Sequence, residues 1–247
     1  MSKNKLLNSI YTLILAAALL SMIVIIADDQ EGEAVTAMTE SVNSRKVITD
    51  VKDTDNSGYA LTFECQTAAD DIDDIIALLN NENIKASFFV TGIWADKHRD
   101  EVRLIAKNGH DICFHGYTHL NMTGMQTGRI GEEFYDYKTL MSEILGTNEW
   151  TGKNIFRPPY CDYDQYLIKQ AGREGCAVVT DSVSALDWKS DISASVVADN
   201  VMGMLKPGDI LSFHIGYKNC FESVKRVISD SRSKGMNPGR LTDFKNF

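Results

Sequence analysis

The segment LTFECQ, residues 61–66, is a short apolar run that ends on two reactive side chains. Its first three residues suit a buried strand, and the carboxylate of Glu64 and the thiol of Cys65 stand where that strand ends. In sheets of parallel strands, binding and catalytic groups collect at the carboxyl ends of the strands. Further site residues are therefore expected at the ends of the other strands.

Strand-like and helix-like segments alternate from about residue 47 onward. The short apolar runs are YALTF (59–63), ASFFV (86–90), DICF (111–114), CAVV (176–179) and DILSF (209–213). Helical patterns are found at 70–81, 98–109, 129–145, 163–173, 193–204 and 219–232. Strands separated by helices of this length predict βαβ units and a parallel sheet. A closed or distorted β/α barrel and an open doubly wound sheet both fit this alternation.

The chemically capable side chains follow the predicted strands. They are Glu64 and Cys65 after the first strand, His115 and His119 after DICF, Arg157 after a short segment at 154–156, Asp187 and Trp188 after the strand near 176–180, and His214 at the end of DILSF. Because the carboxyl ends of parallel strands share one edge of a sheet, we expect these side chains to form one site.

The segment HGYTH suggests a metal site. It places His115 and His119 four residues apart, a spacing that can bring two imidazoles to one divalent ion. Cys65 would add a thiolate, and zinc accepts a thiolate with two imidazoles while leaving a fourth position for water. A solvated or capping histidine pair and a buried structural Cys65 are the alternatives.

Acid–base chemistry has its own candidates. Glu64 could serve as general base for a metal-bound water, or it could be exposed or paired with Arg157. His214 is the natural general acid, and Asp187 could orient its ring and tune its pKa. The turn RPPY, residues 157–160, is rigid because each proline fixes φ and restricts the residue before it. It would hold Arg157 and the Tyr160 amide in fixed directions.

Composition limits the function classes. The chain has 247 residues, 44% of them hydrophobic, which is enough for a substantial core. Its formal net charge of -9 argues against a nucleic-acid partner, because phosphate binding relies on clustered Lys and Arg. The five cysteines are odd in number and widely spaced, so they predict no disulfide framework.

The N-terminal segment differs in composition from the rest. Lys3 and Lys5 precede an apolar run at 10–27, and acidic residues follow it. This pattern predicts a single-pass signal anchor at residues 1–27 in the cell membrane, with the following domain on the extracytoplasmic side. A cleaved signal peptide and a secreted domain are the alternative. Residues 28–46 suit a flexible stalk, and residues 47–247 form the predicted catalytic domain.

A family resemblance joins these motifs. In order, LTFECQT, KASFFVTG, GHDICFHGYTH, FRPPY, ALDW and ILSFH resemble the five motifs of the polysaccharide deacetylases, carbohydrate esterase family four, over roughly residues 47–235. The resemblance implies a distorted β/α barrel. It also implies metal-dependent removal of acetyl groups from N-acetylated glycans, chiefly peptidoglycan or chitin-like chains.

The resemblance also implies residue roles. Glu64 stands at the position of the general base, and Arg157 at the position of the residue that orients it. Cys65, His115 and His119 stand at the metal-binding positions. The Tyr160 amide stands at the oxyanion position, Asp187 and Trp188 belong to the fourth motif, and His214 stands at the position of the general acid. The chain departs from the family pattern at four places: Glu64–Cys65 replace Asp–Asp, Cys161 replaces glycine, Ser184 replaces Asp and Ile215 replaces Asp. These departures keep two alternatives open, a catalytically inactive glycan-binding relative and a relative that acts on another C–N bond.

Overall fold

The computed structural model describes residues 47–53 and 56–247. The predicted signal anchor at 1–27 and the stalk at 28–46 therefore lie outside the described residues. Within the described part of the chain, no helix is both long and apolar enough to cross a membrane.

Eight strands form one sheet. They are β1 (Gly58–Cys65), β2 (Ser87–Val90), β3 (Asp111–Phe114), β4 (Ile155–Phe156), β5 (Ala177–Val178), β6 (Val183–Ser184), β7 (Ile210–His214) and β8 (Asn237–Gly239). The strand order is β5-β4-β3-β2-β1-β7-β6, and β8 also pairs with β1. Every pairing is parallel. In the described ranges no strand pairing joins β5 to β6, so the sheet is a parallel half-barrel that stays open there.

Seven α-helices connect or cover the strands. They are α1 (Ile72–Asn81), α2 (Gly92–Lys97), α3 (Arg99–Lys107), α4 (Thr127–Leu145), α5 (Gln165–Arg173), α6 (Ala194–Met204) and α7 (Cys220–Ser233), all within the described residues. Two short 3-10 helices lie at Pro159–Cys161 and Leu241–Asp243. The periodic helices were predicted to within about three residues at each end. The six-residue α2 and the short strands β6 and β8 were not, because they are too brief to show a period.

The sheet lies between two apolar clusters, one on each of its faces. On β1, the odd-numbered residues from Tyr59 to Cys65 belong to the larger apolar cluster, which also contains the buried faces of the helices. Ala60 faces the other way and packs with Phe89 and Ile210 in a smaller cluster on the inner side. Successive side chains of a strand point to opposite faces. This alternation decides which residues of β1 reach the functional site.

Candidate active site

Glu64 lies at the centre of the predicted site. It sits near the carboxyl end of β1, pairs with His214 of β7 across the sheet, and is only 8% exposed. Its Oε1 accepts a hydrogen bond of 3.2 Å from Nη1 of Arg157. Its Oε2 lies 3.2 Å from Nε2 of His115 and 3.3 Å from Nε2 of His214. One carboxylate is thus surrounded by a guanidinium and two imidazoles from three other strand ends.

The surrounding charges fix the ionisation of Glu64. Burial alone would raise the pKa of this carboxyl group. The close approach of His115, with contributions from His214 and Arg157, outweighs burial and holds the pKa well below its ordinary range. Glu64 is therefore an anion at neutral pH.

His214 and Asp187 form a well-aligned pair. Nδ1 of His214 donates to Oδ1 of Asp187 at 2.8 Å, and the His214 backbone N–H donates to Oδ2 at 2.9 Å. Asp187 is 1% exposed, so its carboxylate is shielded from water. Burial lowers the pKa of His214, but the hydrogen bonds of Asp187 and Glu64 raise it to about 10. At neutral pH the His214 ring is protonated and directs Nε2 at Glu64.

The rigid turn positions two site residues at once. The guanidinium of Arg157 is fully buried, lies 3.9 Å from the ring centroid of Phe89 and donates to Glu64 through Nη1. The Arg157 backbone carbonyl accepts a hydrogen bond from Nδ1 of His115 at 2.9 Å. Because that carbonyl can only accept, it requires the proton on Nδ1 and turns Nε2 of His115 toward Glu64. Nε2 itself makes no hydrogen bond within the described residues, although Oε2 of Glu64 lies 3.2 Å away.

The predicted zinc site of Cys65, His115 and His119 is not assembled. The ring centroids of His115 and His119 lie 5.0 Å apart, but Cys65 is on the opposite face of β1 from Glu64 and belongs to the larger apolar core. Burial raises the pKa of the Cys65 thiol well above its ordinary value, and the charges of Asp71 and Glu64 raise it further. Among the described residues, no three His, Cys, Asp or Glu side chains are placed to hold a metal ion.

The failure of this ligand set has a structural reason. β1 continues as a regular strand through Cys65, which pairs with Val90 of β2. With regular alternation, Glu64 and Cys65 cannot both face the same side. The sequence placed the two residues together, but strand geometry separates them. The residues present therefore do not fit the divalent metal that the family resemblance implies.

A cavity of about 470 Å³ opens above this group of residues. Glu64, His119 and His214 line it together with Tyr160 and Trp188. Tyr160 is 68% exposed and Trp188 is 46% exposed, so both lie where the cavity meets solvent. A polar interior with aromatic rings at its entrance is a suitable shape for one sugar unit of a chain.

Glu133 is a functional candidate that the sequence reasoning missed. This α4 residue is 2% exposed and accepts hydrogen bonds from the backbone N–H groups of Tyr117 and Thr118, at 2.7 and 3.0 Å, and from the Thr118 hydroxyl at 2.7 Å. It thereby fixes the loop between His115 and His119. Nothing in the helical pattern of 129–145 marks Glu133, because surface helices carry many glutamates.

Comparison with known proteins gives consistent sequence matches. A family model described as "Polysaccharide deacetylase" matches residues 51–179. The peptidoglycan-N-acetylglucosamine deacetylase of Bacillus cereus is 29% identical over 181 residues, which are 71% of this chain and 64% of that protein. The chain thus spans less than two thirds of the length of this protein and of three further curated relatives.

Solved structures share the fold. A CE4 family pseudoenzyme from Bacillus anthracis has a TM-score of 0.74 at 21% identity, covering 81% of this chain and 69% of that one. A family 4 carbohydrate esterase from Bacillus subtilis has a TM-score of 0.72 at 21% identity, covering 85% of this chain and 88% of that one. At these identities the likeness concerns the fold alone. The expected distorted β/α barrel is confirmed in its coarser form, a parallel half-barrel with helices around it.

Proposed function

Since the chain belongs to the polysaccharide deacetylase family, we propose that it hydrolyses the acetamide groups of an N-acetylated cell-envelope glycan. One observation carries the proposal: the Asp187–His214 pair and Arg157 converge on Glu64 inside an open cavity. The relative from Bacillus cereus, whose name specifies peptidoglycan N-acetylglucosamine, supports a peptidoglycan substrate. The apolar run at residues 10–27 supports a location at the extracytoplasmic face of the membrane.

The charge states of Glu64 and His214 suit the two proton transfers of the reaction. Ionised Glu64 takes a proton from water as the water oxygen bonds to the acetyl carbonyl carbon. Protonated His214 then gives its Nε2 proton to the amide nitrogen as the C–N bond breaks, which yields acetate and the free amine. The 3.3 Å between Glu64 Oε2 and His214 Nε2 allows the proton on Glu64 to return to His214 and reset the pair.

The remaining residues bind and orient. Arg157 fixes Oε1 of Glu64, so that Oε2 is the oxygen that faces the reacting water. Tyr160 and Trp188 at the cavity entrance offer ring faces to the sugar, and the backbone N–H of Tyr160 is the proposed donor to the oxyanion. No step is assigned to a metal ion, because the residues do not provide its ligands.

A second candidate function is glycan binding without turnover. Two observations favour it: Cys65 is buried in the core, and the neighbours of Glu64 hold its pKa well below the ordinary range, which makes it a weak base. A binder of this kind would keep the cavity and its aromatic entrance. The two functions differ in one measurable product, free acetate.

The test measures acetate release and binding on the same samples. Full-length protein in detergent is incubated with peptidoglycan and with N-acetylglucosamine oligomers, and acetate is quantified by an enzyme-coupled assay. We expect acetate release that falls at least about 100-fold in Glu64→Gln, because the base is lost. Glu132→Gln, at an exposed glutamate, is the matched control and should keep full activity. Binding without acetate release in the unmodified chain would establish the second function instead.

A further inference from the structure

Three residues that the sequence did not assign to the reaction form a hydrogen-bonded group inside the same cavity. Sγ of Cys161 donates to Oδ1 of Asp181 at 2.9 Å, and the Ser212 hydroxyl donates to Oδ2 of Asp181 at 2.8 Å. All three line the cavity that contains Glu64 and His214. We call Cys161, Asp181 and Ser212 the polar floor.

The floor lies below the reacting pair. Ser212 precedes His214 by two residues on β7, so both side chains face the same side of the sheet. Ser212 pairs with Thr62 and His214 pairs with Glu64, which places the floor one layer, about 6.6 Å, toward the amino ends of the strands. Because Asp181 lines the same cavity as Glu64 and His214, the end of an acyl group bound in that cavity can approach its carboxylate.

Asp181 retains unused capacity to accept hydrogen bonds. A carboxylate can accept about four, and Asp181 receives one bond on each oxygen, one of them from a weakly donating thiol. Within the described residues no Lys, Arg or His pairs with it in a salt bridge. A ligand in the cavity that supplies a hydrogen-bond donor can therefore bind this carboxylate.

The backbone at Cys161 is also unusual. Its φ is +53°, in the left-handed region that favours glycine. Tyr160, the residue before it, has a φ of +63°, so the turn holds both residues in this region while the Cys161 thiol contacts Asp181. Burial raises the pKa of Cys161 to about 12, so the group remains a thiol that can donate to Asp181.

We propose that the polar floor selects substrates whose N-acyl group ends in a hydroxyl, with N-glycolyl as the smallest case, over N-acetyl. The inference rests on the proposed function for the orientation of the sugar, which stays at the entrance beside Tyr160 and Trp188 while the acyl group points inward. A glycolyl hydroxyl can donate to Asp181. An acetyl methyl group has no donor, and it leaves the carboxylate without a ligand partner.

The test compares two matched oligosaccharides. Dissociation constants for N-glycolylglucosamine and N-acetylglucosamine tetramers are measured by calorimetry on the full-length chain carrying Glu64→Gln, which stops turnover. We expect about five- to tenfold tighter binding of the glycolyl tetramer, the effect of one additional hydrogen bond. Asp181→Leu should bring the ratio close to one, and Asp181→Asn, which keeps one acceptor, should retain part of it. Asp191→Leu, at an exposed aspartate, is the control and should leave the ratio unchanged.

Each outcome has a defined meaning. Equal affinities for the two tetramers, or a ratio that persists in Asp181→Leu, would overturn the polar floor as a selectivity site, as would a failure of both tetramers to bind. Acid release by the chain without Glu64→Gln is measured in parallel. If neither acetate nor glycolate is released while the binding ratio behaves as expected, hydrolysis is wrong and the polar floor stands. Asp181→Asn provides the comparison should Asp181→Leu fail to fold.

Discussion

Glu64 shows how one methylene changes a site. At the position where the family resemblance implies an aspartate, the longer side chain places Oε1 on Arg157 while Oε2 lies between His115 and His214. The negative charge of this carboxylate therefore lies next to the positive charges of Arg157 and of protonated His214.

At this scale we predict that Asp187→Asn lowers the pKa of His214. Burial disfavours the charged ring, and the hydrogen bond to Asp187 is the largest of the effects that keep the ring protonated. The decline in acetate release on the alkaline side should therefore begin at lower pH in the variant. A titration of the His214 ring by NMR measures the pKa directly. An unchanged pKa would contradict the assignment of Asp187.

Cys65 supplies a second prediction at the residue scale. Cys65→Ala should destabilise the fold by about 1–2 kcal/mol, because it removes a fully buried side chain from the core. It should leave the zinc content of the purified protein unchanged. Denaturant unfolding and elemental analysis measure the two quantities. Zinc present in the unmodified protein and lost in Cys65→Ala would restore Cys65 as a ligand.

At the scale of elements, α4 acts as a support for the loop between the two histidines. Glu133→Ala removes three hydrogen bonds to Tyr117 and Thr118 and should cost about 2–4 kcal/mol of folding free energy. The ring signals of His119 should also shift, since its loop loses its anchor. Glu132→Ala changes the neighbouring but exposed residue and is the matched control. Equal thermal stability of the two variants would contradict this role of Glu133.

Some of these elements and site residues could be predicted from the sequence, and others could not. Long periodic helices and apolar strands were predictable because burial imposes their period, and the strand ends correctly indicated Glu64, Arg157, Asp187 and His214 as neighbours. The packing of Cys65 in the apolar core could not be predicted from its place next to Glu64 in the sequence, because successive side chains of β1 point to opposite faces of the sheet. The polar floor was missed because Asp181 lies in a short loop between two-residue strands, where no periodic signal exists.

For the whole molecule, His110 links stability to pH. It is 2% exposed, and its Nδ1 accepts a hydrogen bond from the Ala86 N–H, which requires this nitrogen to be unprotonated. Burial, with smaller effects from Lys85 and Arg240, lowers its pKa from 6.5 to about 4. Between these values the unfolded chain binds a proton that the folded chain does not. Stability is therefore fully present above pH 6.5 and declines as the pH falls toward 4.

We predict that His110→Asn reduces this acid sensitivity. Asparagine keeps an acceptor for the Ala86 N–H but does not titrate, so the variant should lose up to roughly 3 kcal/mol less than the unmodified protein between pH 7 and pH 4. Urea unfolding at a series of pH values measures the difference. Parallel curves for the two proteins would show that His110 does not link folding to pH.

The regular ending of β1 also bears on evolutionary reversibility. A lineage that retains a metal could regain a lost ligand by a single codon change if the new side chain still faced the ion. Here Cys65→Asp would place a carboxylate among buried apolar side chains, because the strand stays in register with Val90 through that residue. A ligand at position 65 that faces the cavity would require a change in where the strand stops as well as in which residue it carries. Two coupled changes, one of backbone and one of side chain, therefore separate this chain from such a ligand.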